Sequence, residues 1–193
     1  MPGPDFIYAF HDNKKSKPTS SRKVHILRLN DLLHLFIERG DLQRARRTWA
    51  ILIRCEEFDW NTKWRTGLLL ISGPKSSRQT EAQVKVDFLK KLMRRYPDEQ
   101  EAILQEIVLH FTEDGRFNEA LEELESYLPS FPYQDNPVLH CYAGLIAIHL
   151  AVQGAEANIA QKSTRLKSAQ SHLQRALNID PENPVANAFI TEV

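Results

Sequence analysis

Seven histidines, two cysteines and the run Gly73-Pro74-Lys75-Ser76 are the residues of this 193-residue chain that could bind a metal, move a proton or cradle a phosphate. None stands in a spacing that does so. No Cys-x-x-Cys, His-x-x-x-His or His-Glu-x-x-His pattern occurs, and a metal site built on one helix or turn needs its donors at such intervals. His140 beside Cys141 comes nearest, but neighbours on a helix point about 100° apart and would need ligands from elsewhere. Gly73 to Ser76 has the Lys-Ser ending of a phosphate-binding loop without its earlier glycine, and Pro74 removes a backbone N–H that such a loop uses. It reads as a plain loop. No serine, histidine and aspartate set has a recognisable nucleophile context. The sequence therefore argues against an enzyme, a cofactor or a metal, and for a protein that acts through its surfaces.

The surface carries charge unevenly. Net charge is zero, yet Met1 to Pro97 holds 20 Lys and Arg against 10 Asp and Glu, while Asp98 to Val193 holds 5 against 15. In the basic half, a turn of about 3.6 residues puts Arg47 and Arg54 opposite the apolar positions Ala45 and Leu52, with Arg44 and Arg46 on the flanks. These four arginines can meet phosphates or an acidic partner, and a solvated helix back is the plainer alternative. In the acidic half, Glu113, Asp114, Glu119, Glu122, Glu123 and Glu125 gather around one turn and helix, which disfavours nucleic acid there and suits a basic partner.

The elements that must position these groups are helices. Gly115, Phe117, Ala120, Leu124, Tyr127 and Pro132 set small and large apolar residues where two antiparallel helices touch. Gly40, Leu42, Ala45, Trp49 and Leu52 repeat that spacing upstream, and Ala169, Leu173, Ala176 and Pro181 repeat its second half. This is a tetratricopeptide (TPR) pattern, whose repeats of about 34 residues are helical hairpins that bury their apolar faces only by stacking. Leu29, Leu32, Leu33 and Phe36 stand before Gly40 at the offsets that Leu104, Ile107, Val108 and Phe111 hold before Gly115. Ala45 and Ala120 lie 75 residues apart, which leaves room for a degenerate repeat between them. The sequence places it at Trp60 to Pro97: a first helix around Trp64, Leu68 and Ile71, a breaker at Gly73-Pro74, and a second helix through Val86, Leu89 and Leu92. Ala120 to Ala169 is 49 residues, so the last hairpin is elongated, and the surplus at about Ala151 to Arg165 predicts long helices there.

Local signals mark the boundaries. Asp98 with Glu101 reads as a capping box. Asn136-Pro137 and Asn183-Pro184 each put a cap residue before a proline at the first helical position, where its missing N–H costs nothing. Val185 to Val193 forms a short terminal helix that covers the last hairpin. Almost nothing reads as strand. Residues 1–21, with three prolines and Lys14-Lys15-Ser16-Lys17, read as a mobile basic tail, and 22–193 as one TPR-like repeat domain. The expected fold is thus an all-α superhelix of about four hairpins, the second degenerate and the last elongated, with a C-terminal capping helix. Cys55 and Cys141 fit reduced core thiols of an intracellular protein. No apolar run approaches the roughly 18 residues of a membrane span, and no membrane partner is expected.

The stretch Ala45-Arg46-Arg47-Thr48-Trp49-Ala50-Ile51-Leu52-Ile53-Arg54, followed by Asp59-Trp60, Trp64 and Gly67, resembles the signature segment of the fungal RNA polymerase I-specific initiation factor family, the TPR-containing subunit of the core factor. Ala45, Trp49, Asp59, Trp60, Trp64 and Gly67 carry the likeness as family markers rather than mapped contacts, and core packing is the plainer role for Trp60 and Trp64. The resemblance implies a nuclear, nucleolar scaffold without catalytic activity. It would assemble with a cyclin-fold, zinc-ribbon subunit, a propeller-containing subunit and TATA-binding protein, and recruit RNA polymerase I to ribosomal promoter DNA. The competing reading is a generic TPR adaptor, such as a co-chaperone that clamps a carboxylate tail. The clamp positions hold Asn30 and His34 in the first repeat, Arg65 in the second, and Ala102 and Glu106 in the third, so the required basic set is missing.

Overall fold

The computed structural model describes residues 20–58, 63–71, 78–153 and 159–190, and every regular element among them is helical. The chain divides into two compact units, residues 1–75 and 76–193. The first holds α1 (Ser21–Glu38), α2 (Leu42–Leu52) and α3 (Trp64–Ile71). The second holds α4 (Arg78–Arg95), α5 (Gln100–Glu113), α6 (Phe117–Tyr127), α7 (Pro137–Gln153), α8 (Ile159–Ile179) and α9 (Pro184–Ile190). Within each unit every helix packs on the next one along the chain, and α7 against α8 is the most extensive pairing. The tail with Lys14, Lys15 and Lys17, the pair Asp59-Trp60, and the breaker Gly73-Pro74 lie outside the described residues.

The two hairpin turns of the repeated pattern are built alike. After α1, Gly40 N–H donates to the Ile37 carbonyl and Asp41 N–H to that of Phe36; after α5, Gly115 N–H donates to Thr112 and Arg116 N–H to Phe111. These paired bonds satisfy carbonyls that a helix end leaves unpartnered, and they require a left-handed residue between them. Gly40 at φ 71° and Gly115 at φ 74° supply it. A side-chain carbon at either glycine would meet nothing within 4 Å, so glycine stands there for its backbone angle and not for a close helix approach.

Helix starts follow side-chain chemistry. Ser20 accepts from Arg22 N–H at 3.3 Å and Asp41 from Arg44 N–H at 3.1 Å. Asn136 accepts from Val138 and Leu139 ahead of α7, and Asn183 from Val185 and Ala186 ahead of α9, each with proline at the first helical position. The capping box expected of Asp98 and Glu101 does not form. Pro97–Glu99 is a 3-10 turn, so Glu99 occupies the cap position without a side-chain bond. Glu101 instead accepts from the Asn136 amide, and Gln100 donates to the Met93 carbonyl.

In the first unit Ile26, Leu33, Ala45, Leu52, Phe58 and Leu70 form the core, with Trp49 set edge-on to Phe58 at 5.8 Å. Trp64 is also buried, and Gly67 is buried on α3. In the second unit Ala120, Leu124, Ala169, Leu173 and Ala176 are fully buried. Phe117 stacks on His149 at 4.1 Å, and Pro181 sits exposed in the turn closed by Asn183 N–H on the Asp180 carbonyl. The close approach that sequence reading missed is at Gly144 on α7. A side-chain carbon there would lie 2.8 Å from Leu173 Cγ and 3.4 Å from the Ala169 carbonyl oxygen, which brings α8 hard against α7. The elongated last hairpin is α7 with 17 residues and α8 with 21, against 14 and 11 in α5 and α6; residues 154–158 lie outside the described set.

Side-chain bonds recur at nearly one interval. Lys63 to Asn30, Lys90 to Glu123, Arg116 to Gln83 and Tyr133 to Gln100 each join residues 33 apart.

Two substitutions separate the two uses of glycine. Gly115→Ala forces a left-handed alanine and is expected to destabilise by about 1–2 kcal/mol. Gly144→Leu overpacks a closed crossing and is expected to cost about 1–3 kcal/mol, as is Ala120→Leu. Urea denaturation of the full chain measures all three, and an unchanged midpoint for Ala120→Leu would contradict its buried position.

Candidate partner-binding surface

α2 presents its arginines because the residues between them are claimed by the core. Ala45, Thr48 and Leu52 are buried at helical spacing, and the Thr48 hydroxyl donates back to the Arg44 carbonyl at 3.0 Å. Arg47 is exposed on the opposite side and Arg44 on a flank, and Arg54 is exposed in the turn just past the end of α2. Arg44 is partly committed: its Nε lies 3.3 Å from Asp41, and its guanidinium lies 6.0 Å from the Phe36 ring centre. Arg47 and Arg54 make no ion pair among the described residues. Ala50 and Ile51 are exposed beside them, Ile51 by 49%. An apolar residue at that angle of the polar face was legible from the 3.6-residue turn and is the signal that sequence reading passed over.

Arg46 departs from the other three. It is half-buried, and its Nε donates to the Leu70 carbonyl at 2.7 Å, satisfying one of the carbonyls at the C-terminal end of α3. A cation there also complements the helix dipole. Arg46 is a brace between α2 and α3 rather than part of the open face.

The acidic group of the second unit is partly neutralised from within. Lys90 of α4 reaches Glu123 at 2.7 Å, and Arg116 pairs with Glu119. Glu122 and Glu125 stay exposed on α6. The unit boundary falls before α4, so the basic residues of α4 belong with the acidic helices. Residues 1–75 hold 14 Lys and Arg against 8 Asp and Glu, and 76–193 hold 11 against 17. The division of charge is therefore milder between the units than a cut at Pro97 suggests.

The remaining chemistry-bearing residues go into packing. His140 pairs not with Cys141 but with His172, Nδ1 to Nδ1 at 3.4 Å, while His140 Nε2 faces the Gln134 carbonyl at 3.1 Å. The carbonyl requires a proton on Nε2, so the neutral His140 accepts at Nδ1 from His172. Burial holds both imidazoles below their ordinary range, and His140 adds to the effect on His172. The Cys141 thiol contacts the capping Asn183 at 3.6 Å, and burial pushes its pKa up, which suits an inert core thiol. Among the described residues no three His, Cys, Asp or Glu side chains are grouped to hold a metal, and no helix is long and apolar enough to cross a membrane. Asn30, one of the clamp positions, is 4% exposed and accepts from Lys63 at 2.8 Å.

With that geometry established, the comparison with known proteins is decisive. Residues 5–110 match the family model of RNA polymerase I-specific transcription initiation factor Rrn11. The chain belongs to this family. A relative from Schizosaccharomyces pombe, RNA polymerase I-specific transcription initiation factor rrn11, is 26% identical over 179 residues, covering 86% of this chain and 85% of the relative. The match takes in α1 to α4 and most of α5, and so includes the arginine face of α2.

Two outcomes follow for stability. Arg46→Ala removes a charge-assisted bond and a packed stem, and is expected to destabilise by about 1.5–3 kcal/mol. Arg47→Ala and Arg54→Ala should each stay within about 0.5 kcal/mol of the parent; thermal melts at matched pH decide it. The histidine pair sets an acid limit. With folded-state pKa values below the unfolded 6.5, the unfolded chain binds more protons as pH falls through that value. Stability contributed by the pair is present above the unfolded value and is lost as pH falls below it through the lowered folded-state values. His172→Gln should flatten that dependence in denaturant titrations run at several pH values.

Proposed function

We propose that the chain is a scaffold subunit of the RNA polymerase I core factor. In this reading it assembles with a cyclin-fold subunit, a propeller-containing subunit and TATA-binding protein at the ribosomal DNA promoter, in the nucleolus of the nucleus, and helps to recruit the polymerase. The observation that carries the reading is a likeness to an RNA polymerase I initiation factor that spans most of both chains. We take residues 22–193 as four TPR-like hairpins closed by α9. The recurring 33-residue interval of the side-chain bonds supports that assignment, because it approximates one repeat of about 34. A scaffold of this type has no catalytic residues and needs no cofactor.

The adaptor that clamps a carboxylate tail is the poorer fit. A clamp needs free donors on successive first helices, and Asn30 is buried against Lys63. Arg65 lies with its guanidinium 4.4 Å from the Trp64 ring centre. Ala102 supplies no donor, and Glu106, 3.8 Å from His110, would repel the tail.

Co-purification of the tagged full chain from its own cells tests the reading. The expected companions are two larger subunits and TATA-binding protein, in a complex that binds ribosomal promoter DNA. Recovery mainly with heat-shock chaperones would sink it. The isolated chain should bind duplex DNA weakly and without sequence preference, since net charge is zero and no groove-reading element is evident. Electrophoretic mobility shifts at physiological salt measure this.

A further inference from the structure

The exposed side of α2 has a composition that selects among partners. On α2 Arg47 and Ile51 stand one turn apart, with Ala50 beside them and buried Thr48 next to Ile51, and exposed Arg54 follows in the turn just past the end of the helix. The two arginines flank Ile51 in the sequence. Between them Ile51 is 49% exposed. Resting on the core-factor reading above, we infer that this face docks an acidic amphipathic helix of a partner subunit, with an apolar residue set on Ile51 and a carboxylate reaching each arginine.

Charge number argues against duplex DNA as the occupant. A protein that makes about 6–10 phosphate contacts owes much of its DNA affinity to them, whereas this face has two arginines without an ion pair among the described residues and a third partly neutralised by Asp41. Ile51 would gain nothing against a phosphate backbone, which offers it no apolar surface. An amphipathic helix offers both chemistries, because it sets apolar residues and carboxylates on one face and its carboxylates accept the planar arginine fork through two bonds. Arginine is also among the residues enriched at the hot spots of protein interfaces.

The test uses the tagged full chain in cells that carry its RNA polymerase I machinery, with the photocrosslinker p-benzoylphenylalanine placed at position 51. Mass spectrometry of the crosslinked peptides should identify a partner-subunit segment with Asp or Glu spaced along one helix face around an apolar residue. In the same background Arg47→Gln with Arg54→Gln should lower the crosslink yield about tenfold, while Arg47→Lys with Arg54→Lys keeps more of it. Circular dichroism of each variant should match the parent, because these side chains brace nothing. Crosslinks to DNA, to a peptide without carboxylates, to residues 1–19 of this chain or to a second copy would overturn the inference, and so would the absence of any crosslink. Retained co-purification with the initiation subunits in those cases would leave the core-factor reading standing. Failure of the parent chain to co-purify would remove that reading and this inference together.

Discussion

Short helices cannot hold themselves in water, and four of the nine α-helices among the described residues are short. An isolated helix below about 12–15 residues is marginal because its nucleus fixes several residues for one hydrogen bond. α2 and α6 have 11 residues, α3 has 8 and α9 has 7. Each therefore exists through the face it buries on its neighbour in the chain. The turns at Gly40 and Gly115 matter for that reason: a tight reversal returns the next helix onto the previous one before the chain can wander. Alanine at 45, 120, 169 and 176, all fully buried, lets the paired helices approach closely.

The same constraint leaves one side of each short helix for other work. On α2 the core takes Ala45, Thr48 and Leu52, and Arg46 is taken by the end of α3. What remains is a face whose side chains have little to do with folding. On α6 the corresponding exposed residues include Glu122 and Glu125, although Lys90 and Arg116 neutralise two of the neighbouring carboxylates. Separation of packing from surface lets the exposed side chains of such a helix change without loss of the fold.

Most of the helices were legible because the signals are local. Periodicity placed α1, α3, α4 and α5, Gly40 and Gly115 marked the reversals, and Asn-Pro marked the starts of α7 and α9. Asp98 and Glu101 misled because the capping spacing does not reveal that Pro97 starts a 3-10 turn, or that Asn136 will claim the Glu101 carboxylate. Gly144 was invisible for a related reason. Its constraint comes from Leu173 on another helix, and nothing in the local sequence of α7 announces that contact. The pairing of His140 with His172 instead of Cys141 is likewise a tertiary fact, 32 residues removed in the chain.

Charge shows most clearly how topology redirects a sequence signal. Counting along the chain puts the change of sign at Pro97, but packing puts α4 with the helices that follow it, and Lys90 spends its charge on Glu123. The arginines that stay open are those whose own unit supplies too few carboxylates at the right place: Asp41 holds Arg44, and Glu57 is drawn to Arg22 at 2.7 Å. Arg47 and Arg54 are left facing outward with Ile51 between them. Two arginines are few for a surface that would hold a nucleic acid by phosphate contacts, and that scarcity is the physical ground on which the inferred docking turns to a protein partner.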